Sequence, residues 1–239
     1  PGIVDVERGV LQHSPIIGWR DVQVEEIMSE IMKVPVYIDN DVNTFTLTEL
    51  WFGKGLGANH FMTVTIGRGI GLGIVTNGKI YRGQGGAGEI GHTVITPGGK
   101  RCDCGKQGCL EAYISDPALV NEAFEQGLIT KQDSIKTLAN LANSGSVEAE
   151  KIISNAGYIF GSTLANLANI FDPEFIIVGG EGLRLGDNFL NGMNKAFLNE
   201  TMPALRGRTT ITIDRLDDTA WARGAAGLIL QEIFESPIG

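Results

Sequence analysis

The sequence predicts an α/β fold built on a mixed sheet, and three observations carry that prediction. Strand-type blocks alternate with helical blocks along most of the 239 residues. An Asn77-Gly78 pair between two apolar runs signals a hairpin, so at least one strand pair is antiparallel. The run FIIVGG (175–180) reads as a buried strand that ends in a glycine turn. Together they give a sheet of about five strands with helices on its faces.

The elements follow in order. Residues 21–33 place Val24, Ile27, Met28, Ile31 and Met32 at helical spacing. VPVYID (34–39) reads as the start of a strand. Residues 41–51 read as a helix capped by Asn40 or Asp41. HFMTVTIG (60–67) alternates as a strand does, and GLGIV and KIYRG flank the hairpin turn. Residues 83–109 are rich in glycine and read as loop. The second half is mostly helical. Asp116-Pro117 reads as an N-cap followed by proline at the first helical position. A long helix spans about 146–171, with Ala149, Ile153, Ala156, Phe160, Thr163, Leu164, Leu167 and Phe171 on one stripe. A helix over 186–199, a strand over 209–214 and a closing helix over 219–234 complete the chain.

Composition narrows the function classes. The apolar fraction is 43% and the charged fraction 20%, an ordinary soluble globular balance. No apolar run reaches membrane-spanning length, so a membrane partner is not expected. A net charge of −9 repels phosphate backbones, so this segment alone is a poor DNA binder. The chain opens on Pro1, and PGIVDVERG has neither a helix cap nor a hydrophobic start, so it is read as starting partway through a longer protein.

All three cysteines lie between positions 102 and 109. An odd number packed so closely argues against a disulfide framework and for a metal site in a reducing, cytoplasmic compartment. His92 stands nine residues before C-x-C-x4-C. His92, Cys102, Cys104 and Cys109 thus supply the four soft or borderline ligands of a closed, structural Zn2+ site. Gly105 and Gly108 let the loop fold back between them.

Three carboxylates flank this loop or precede it: Glu89, Glu111 and Asp41. Carboxylates and amides can bind ring hydroxyls, and a carboxylate beside a hydroxyl can act as general base. Asp41 reads equally as a helix N-cap, and Glu89 and Glu111 as solvated loop charges. Two glycine-rich turns, around Gly67, Gly69 and Gly71 and around Gly179 and Gly180, are candidate phosphate or nucleotide loops. Both also read as plain tight turns.

The run GQGGAGEIGH…CDCGKQGCLE (83–111) resembles the signature of the ROK family of repressors and sugar kinases. DNDVN (39–43) looks like the family's Asn-Asp element, and FIIVGGEG (175–182) is similar to its adenosine-side strand and turn. GWRDV near the start and ARGAAGL near the end agree. The resemblance implies the actin-like, hexokinase-like ATPase fold with ribonuclease H-like lobes, N-terminally incomplete here. It assigns 1–40 and 219–239 to part of the small lobe and 41–218 to the large lobe, with the zinc knuckle at 92–109. It implies zinc on His92, Cys102, Cys104 and Cys109, and sugar contacts on Asn40, Asp41, Glu89, His92 and Glu111. One His92 nitrogen would face the zinc and the other a sugar hydroxyl.

Two functions follow from the resemblance. The first is a sugar-sensing effector and dimerisation domain of a bacterial transcriptional repressor, reaching DNA only through an upstream domain. The second is a sugar kinase that uses Mg-ATP, with Asp41 as catalytic base. The family's kinases carry Gly-Thr-Gly-Ile-Gly in the second phosphate loop, whereas this chain has Gly67-Arg68-Gly69-Ile70-Gly71. They also carry an Asp-x-Gly-x-Thr phosphate loop, and none occurs here before Asp41. The repressor reading is therefore preferred.

Overall fold

The computed structural model describes residues 2–14, 17–214 and 219–235. Contacts divide the chain into two units. One takes Pro1–Thr63, Leu72–Glu89 and Leu216–Gly239, and the other Val64–Gly71 and Ile90–Arg215. These limits differ from the expected boundaries at 40/41 and 218/219, because the helix after Asn40 packs with the C-terminal helix in the first unit.

The first unit opens with three short antiparallel strands, β1 (Ile3–Asp5), β2 (Val10–Ser14) and β3 (Trp19–Val22), which the sequence pattern does not reveal. Unlike the equally short FIIVG and TITI runs, they carry Asp5, Gln12, His13, Arg20 and Asp21, which breaks up any apolar or β-branched pattern. Helix α1 (Val24–Met32) starts three residues later than its periodicity suggests and ends on Lys33 in the left-handed conformation. Its apolar stripe is real but finds no cover among the described residues: Ile27, Ile31 and Met32 are all exposed. The expected strand at 34–39 is absent. Pro35 offers no N–H to a ladder, and the Asp39 side chain is committed to the next helix.

Helix α2 (Asp41–Phe52) is capped by Asn40, whose Oδ1 accepts from Val42 N at 2.8 Å. It packs against helix α8 (Ala220–Glu235), where Gly224 faces the Thr44 carbonyl so closely that a Cβ would lie 2.2 Å from it. Phe45 and Trp221 meet with ring centroids 6.0 Å apart.

Strands β4 (Phe61–Ile66) and β5 (Ile70–Thr76) each run from one unit into the other. With β6 (Lys79–Ile80), β7 (Phe175–Gly179) and β8 (Thr210–Ile213) they form a five-stranded sheet of order β6-β5-β4-β7-β8. β5–β6 is antiparallel around the Asn77-Gly78 hairpin, and β7–β8 is parallel, so the sheet is mixed as expected. Every residue of β4 is buried, and the hydroxyl of its central Thr63 is satisfied by a hydrogen bond with the Thr46 hydroxyl.

In the second unit α3 (Glu111–Ile114), α4 (Asp116–Glu125) and α5 (Ile135–Asn143) lead to α6 (Val147–Phe171) and α7 (Asp187–Glu200). Ser115, not Asp116, caps α4: its Oγ accepts from Ala118 N at 3.4 Å, and Asp116 is the first helical residue. The α6 stripe is buried from Ala149 to Leu167, whereas Phe171 at the end is exposed. Gly157 and Gly161 allow α7 to approach. A Cβ on either would fall 2.1 Å from a carbonyl oxygen of Phe189 or Met193. Among the described residues no helix is long and apolar enough to cross a membrane.

Candidate metal centre and binding residues

His92 ends a single 3-10 turn, Ile90–His92, in the second unit. The chain then makes a narrow ladder, with Ile95 N donating to Gly108 O at 2.8 Å and Leu110 N to Thr93 O at 2.9 Å. Between these strands the loop folds on itself through Cys102 N to Lys106 O and Gly105 N to Cys102 O, both 2.9 Å. Gly105 has φ +90° and Gly108 φ +84°, and a Cβ on Gly108 would strike Thr96 O. Both glycines are therefore required by the turn, as their spacing between the cysteines suggests. Lys100 N donates to the Tyr113 hydroxyl at 3.0 Å and Lys100 Nζ pairs with Glu122 at 2.8 Å, which fastens the knuckle to α3 and α4.

The fold brings His92, Cys102, Cys104 and Cys109 together, with their ligand atoms all within 4.8 Å of one another. His92 Nδ1 is 3.6 Å from Cys102 Sγ, and Cys104 Sγ is 3.7 Å from Cys109 Sγ. A tetrahedron with Zn–S bonds of about 2.3 Å and Zn–N of about 2.0–2.1 Å has edges of about 3.8 Å between sulfurs and about 3.6 Å between nitrogen and sulfur. The donor set therefore fits a tetrahedral metal. Nδ1 faces the sulfurs, so Nε2 lies on the far side of the ring.

The thiols disfavour shared ionisation without a cation. Burial pushes Cys102 up to about 12 and also raises Cys109, where the Cys104 thiol adds to the effect. Cys104 is desolvated as well, but the Lys106 backbone N–H and bonds from the other two thiols hold it below its ordinary value. A divalent cation would remove that conflict by holding all three as thiolates.

The same unit holds both glycine turns and Glu111. Glu111, the first residue of α3, accepts from Ile70 N at 3.2 Å. A Cβ at Gly69 or Gly91 would lie 3.2 Å from its Oε2, so both glycines make room for this carboxylate. Gly67 stands against the Gly180 turn, where a Cβ would lie 3.4 Å from Glu181 Cβ and 3.6 Å from Gly182 N. Gly180 has φ +101° and closes on Ile66 O. Gly71 lies in β5 and Gly179 ends β7.

Sequence reasoning missed the acids here. Asp116 N donates to Gly67 O at 2.8 Å, while Asp116 Oδ1 is buried with no hydrogen-bond partner. Desolvation raises its pKa, the Glu181 charge raises it further, and Arg184 partly opposes them. Glu181 and Arg184 also line a cavity of about 260 Å³ with Lys136, Asn140 and Asn143 of α5.

In the first unit Asn40 and Asp41 stand together at the start of α2. Asn40 Nδ2 donates to Gly2 O at 3.0 Å, and Asp41 Oδ1 accepts from Val42 N at 3.1 Å. Asp39 and Arg82, also missed by the sequence reading, form an ion pair at 2.7 Å beside them. Glu89 is exposed at the end of the glycine loop in this unit. Of the five expected sugar contacts, Asn40, Asp41 and Glu89 thus belong to the first unit, and His92 and Glu111 to the second.

The chain belongs to the ROK family, whose model matches residues 1–232. It is 35% identical to a glucokinase of Halalkalibacterium halodurans, covering 97% of this chain and 74% of that one. It is 30% identical to a xylose repressor of Caldicellulosiruptor bescii, covering 99% of this chain but only 62% of that protein. The structure of a ROK family glucokinase from Streptomyces griseus, in complex with glucose and AMPPNP, superposes with a TM-score of 0.84 at 30% identity. That match covers 95% of this chain and 78% of the other. The α/β fold is therefore that of the hexokinase-like, actin-like ATPases, and both kinases and repressors stand among the relatives.

Proposed function

We propose that these residues form the sugar-sensing effector and dimerisation domain of a ROK transcriptional repressor, with zinc on His92, Cys102, Cys104 and Cys109. Asn40, Asp41, Glu89, His92 and Glu111 contact the sugar. Zinc on Nδ1 fixes the His92 ring and its tautomer, so that Nε2 meets a sugar hydroxyl. DNA is reached through a domain outside these 239 residues, because a chain of net charge −9 does not favour phosphate backbones.

The observation that carries the repressor reading is the acidic surround of Gly67. Asp116 and Glu181, the latter paired with Arg184 at 3.8 Å, flank the turn where a kinase would seat transferring phosphates, and exposed Arg68 replaces a small residue within it. Phosphoryl transfer depends on positioning those charges, and carboxylates in that place repel them. Sugar binding would act by favouring one conformation, to the extent that it binds the two states differently.

One observation favours a second reading: the 35% identity to a glucokinase over 74% of its length. In that reading Asp41 deprotonates the sugar hydroxyl that attacks Mg-ATP. Calorimetry with zinc-loaded protein separates the two, run beside a coupled ADP assay over hexoses, amino sugars and xylose. The expected result is heat with at least one sugar and no ADP. Glu111→Gln should keep its zinc and weaken that sugar by about 1–3 kcal/mol, the value of a charged hydrogen bond. Sugar-dependent ADP release abolished by Asp41→Asn would establish the kinase instead.

A further inference from the structure

We infer that Asp39 and Arg82 are a positioning pair that couples the glycine loop 83–89 to the Asn40–Asp41 helix start, and that sugar affinity depends on it. The inference rests on the proposed sugar-binding role of Asn40, Asp41 and Glu89, and all of its parts lie in the first unit.

The Asp39 side chain is 1% exposed. A carboxylate so buried must be fully paired. Its Oδ2 takes the guanidinium, with Arg82 Nε at 2.8 Å and Nη2 at 2.7 Å. Its Oδ1 takes the start of α2, accepting from Asn40 N at 2.7 Å and Asn43 Nδ2 at 2.8 Å. One oxygen thus serves Arg82 and the other fixes the backbone that presents Asn40 and Asp41.

Arg82 is bound at its other end to the loop. Its carbonyl oxygen accepts from Gly85 N at 2.9 Å and Ala87 N at 3.3 Å, which folds the loop. The loop is then wedged between two strands. At Gly85 (φ +95°) a Cβ would lie 2.6 Å from Val4 O, and at Gly88 (φ +93°) 1.9 Å from Leu72 O. Leu72 N donates to Gly88 O at 3.1 Å, and Glu89 follows directly. A single residue therefore shapes the Glu89 loop through its main chain and holds the Asn40–Asp41 turn through its side chain. Lysine reproduces this only in part: it keeps the main-chain contacts and one charged hydrogen bond to Oδ2, but lacks the two-pronged donor that fixes the Asp39 side chain.

The test uses the zinc-loaded chain, calorimetry with D-glucose, D-xylose and N-acetyl-D-glucosamine, and amide hydrogen exchange. Asp39→Asn and Arg82→Gln should each weaken the tightest-binding sugar about tenfold or more. Both should raise exchange at residues 40–43 and 85–89 while zinc content stays unchanged. Arg82→Lys should recover part of the affinity, and the double variant should be no worse than the weaker-binding single, as expected for one coupled unit. A pair that only supports the fold would lower Tm and leave the folded protein's affinity intact, and that outcome overturns the inference. If the wild-type chain binds none of the three sugars, it is the sugar-binding role that fails. Exchange then decides the coupling alone, and unchanged protection at 85–89 in both single variants would rule it out.

Discussion

The metal knuckle and the α6–α7 pair belong to the same unit but hold their shapes by opposite means. The helices are locked by volume. Phe160 and Phe189 are fully buried with ring centroids 5.7 Å apart, and three glycines (Gly157, Gly161 and Gly192) let the backbones touch. Side-chain hydrogen bonds add to this packing where Tyr158 Oη donates to Glu200 Oε1 at 2.7 Å, and at the far end, where Asn169 bonds Glu200 O and Met202 N at 3.2 and 2.8 Å. The knuckle has almost no apolar filling, and most of residues 93–107 are exposed. Its order comes from turn hydrogen bonds and from four side chains aimed at one point. Dispersion spread over a core is lost cooperatively, whereas a point constraint is lost locally.

The largest effect that would sharpen this contrast is Phe160→Ala. It removes a fully buried ring from the α6–α7 contact and should destabilise the protein by about 3–5 kcal/mol in urea melts. Cys104→Ser should do something different in kind. In small domains structural zinc supplies about 10–16 kcal/mol because the apo form is unfolded. Here the unit keeps its core without the knuckle, so the variant should lose zinc and raise hydrogen exchange over 93–109 while barely moving Tm. If Cys104→Ser lowered global stability as much as Phe160→Ala, the two regions would be one cooperative block and the contrast would be false.

The same contrast explains what could be read from the sequence. The knuckle was legible because its chemistry is written in residue type: a histidine and three cysteines admit few other uses, and the fold brings all four within 4.8 Å. Helix α6 was legible because burial imposes a 3.6-residue period over 25 residues, and its limits fall within a residue of those expected. Strands β1–β3 were not, since polar and charged residues interrupt them, whereas the equally short β7 and β8 are continuous apolar or β-branched runs. The placement of VPVYID as a strand failed because β-type composition does not supply a partner to pair with. Residue type and motif point to Asn40, Asp41, Glu89, His92 and Glu111 as the proposed sugar contacts, but not to the charged pairs elsewhere in the two units. Asp39 meets Arg82 in the first unit, and Asp116 meets Glu181 in the second, only through tertiary contact, which spacing along the chain does not encode. Asp116 was read as a cap because an Asp-Pro pair suits that role, yet Ser115 one residue earlier takes it.

That displaced aspartate gives the smallest predicted effect. Because Ser115 does the capping, the Asp116 carboxyl is left desolvated, with one oxygen unpaired and the Glu181 charge nearby. An acid whose folded-state pKa is raised binds its proton more tightly in the folded protein. Its stabilising contribution is therefore full below its ordinary value of 3.8 and is lost as pH rises through the raised value. At neutral pH the ionised group is a net cost, discounted here because the side chain is only partly buried and solvent screens it. Asp116→Asn should thus stabilise the protein at about pH 7 by on the order of 1 kcal/mol or less. The gain should vanish near pH 3, where the wild-type carboxyl is protonated in both states. Paired urea melts at the two pH values measure it. Equal stability at neutral pH would mean that Arg184 already compensates the charge, and the acidic surround of Gly67 would then be a weaker barrier to phosphate than its geometry implies.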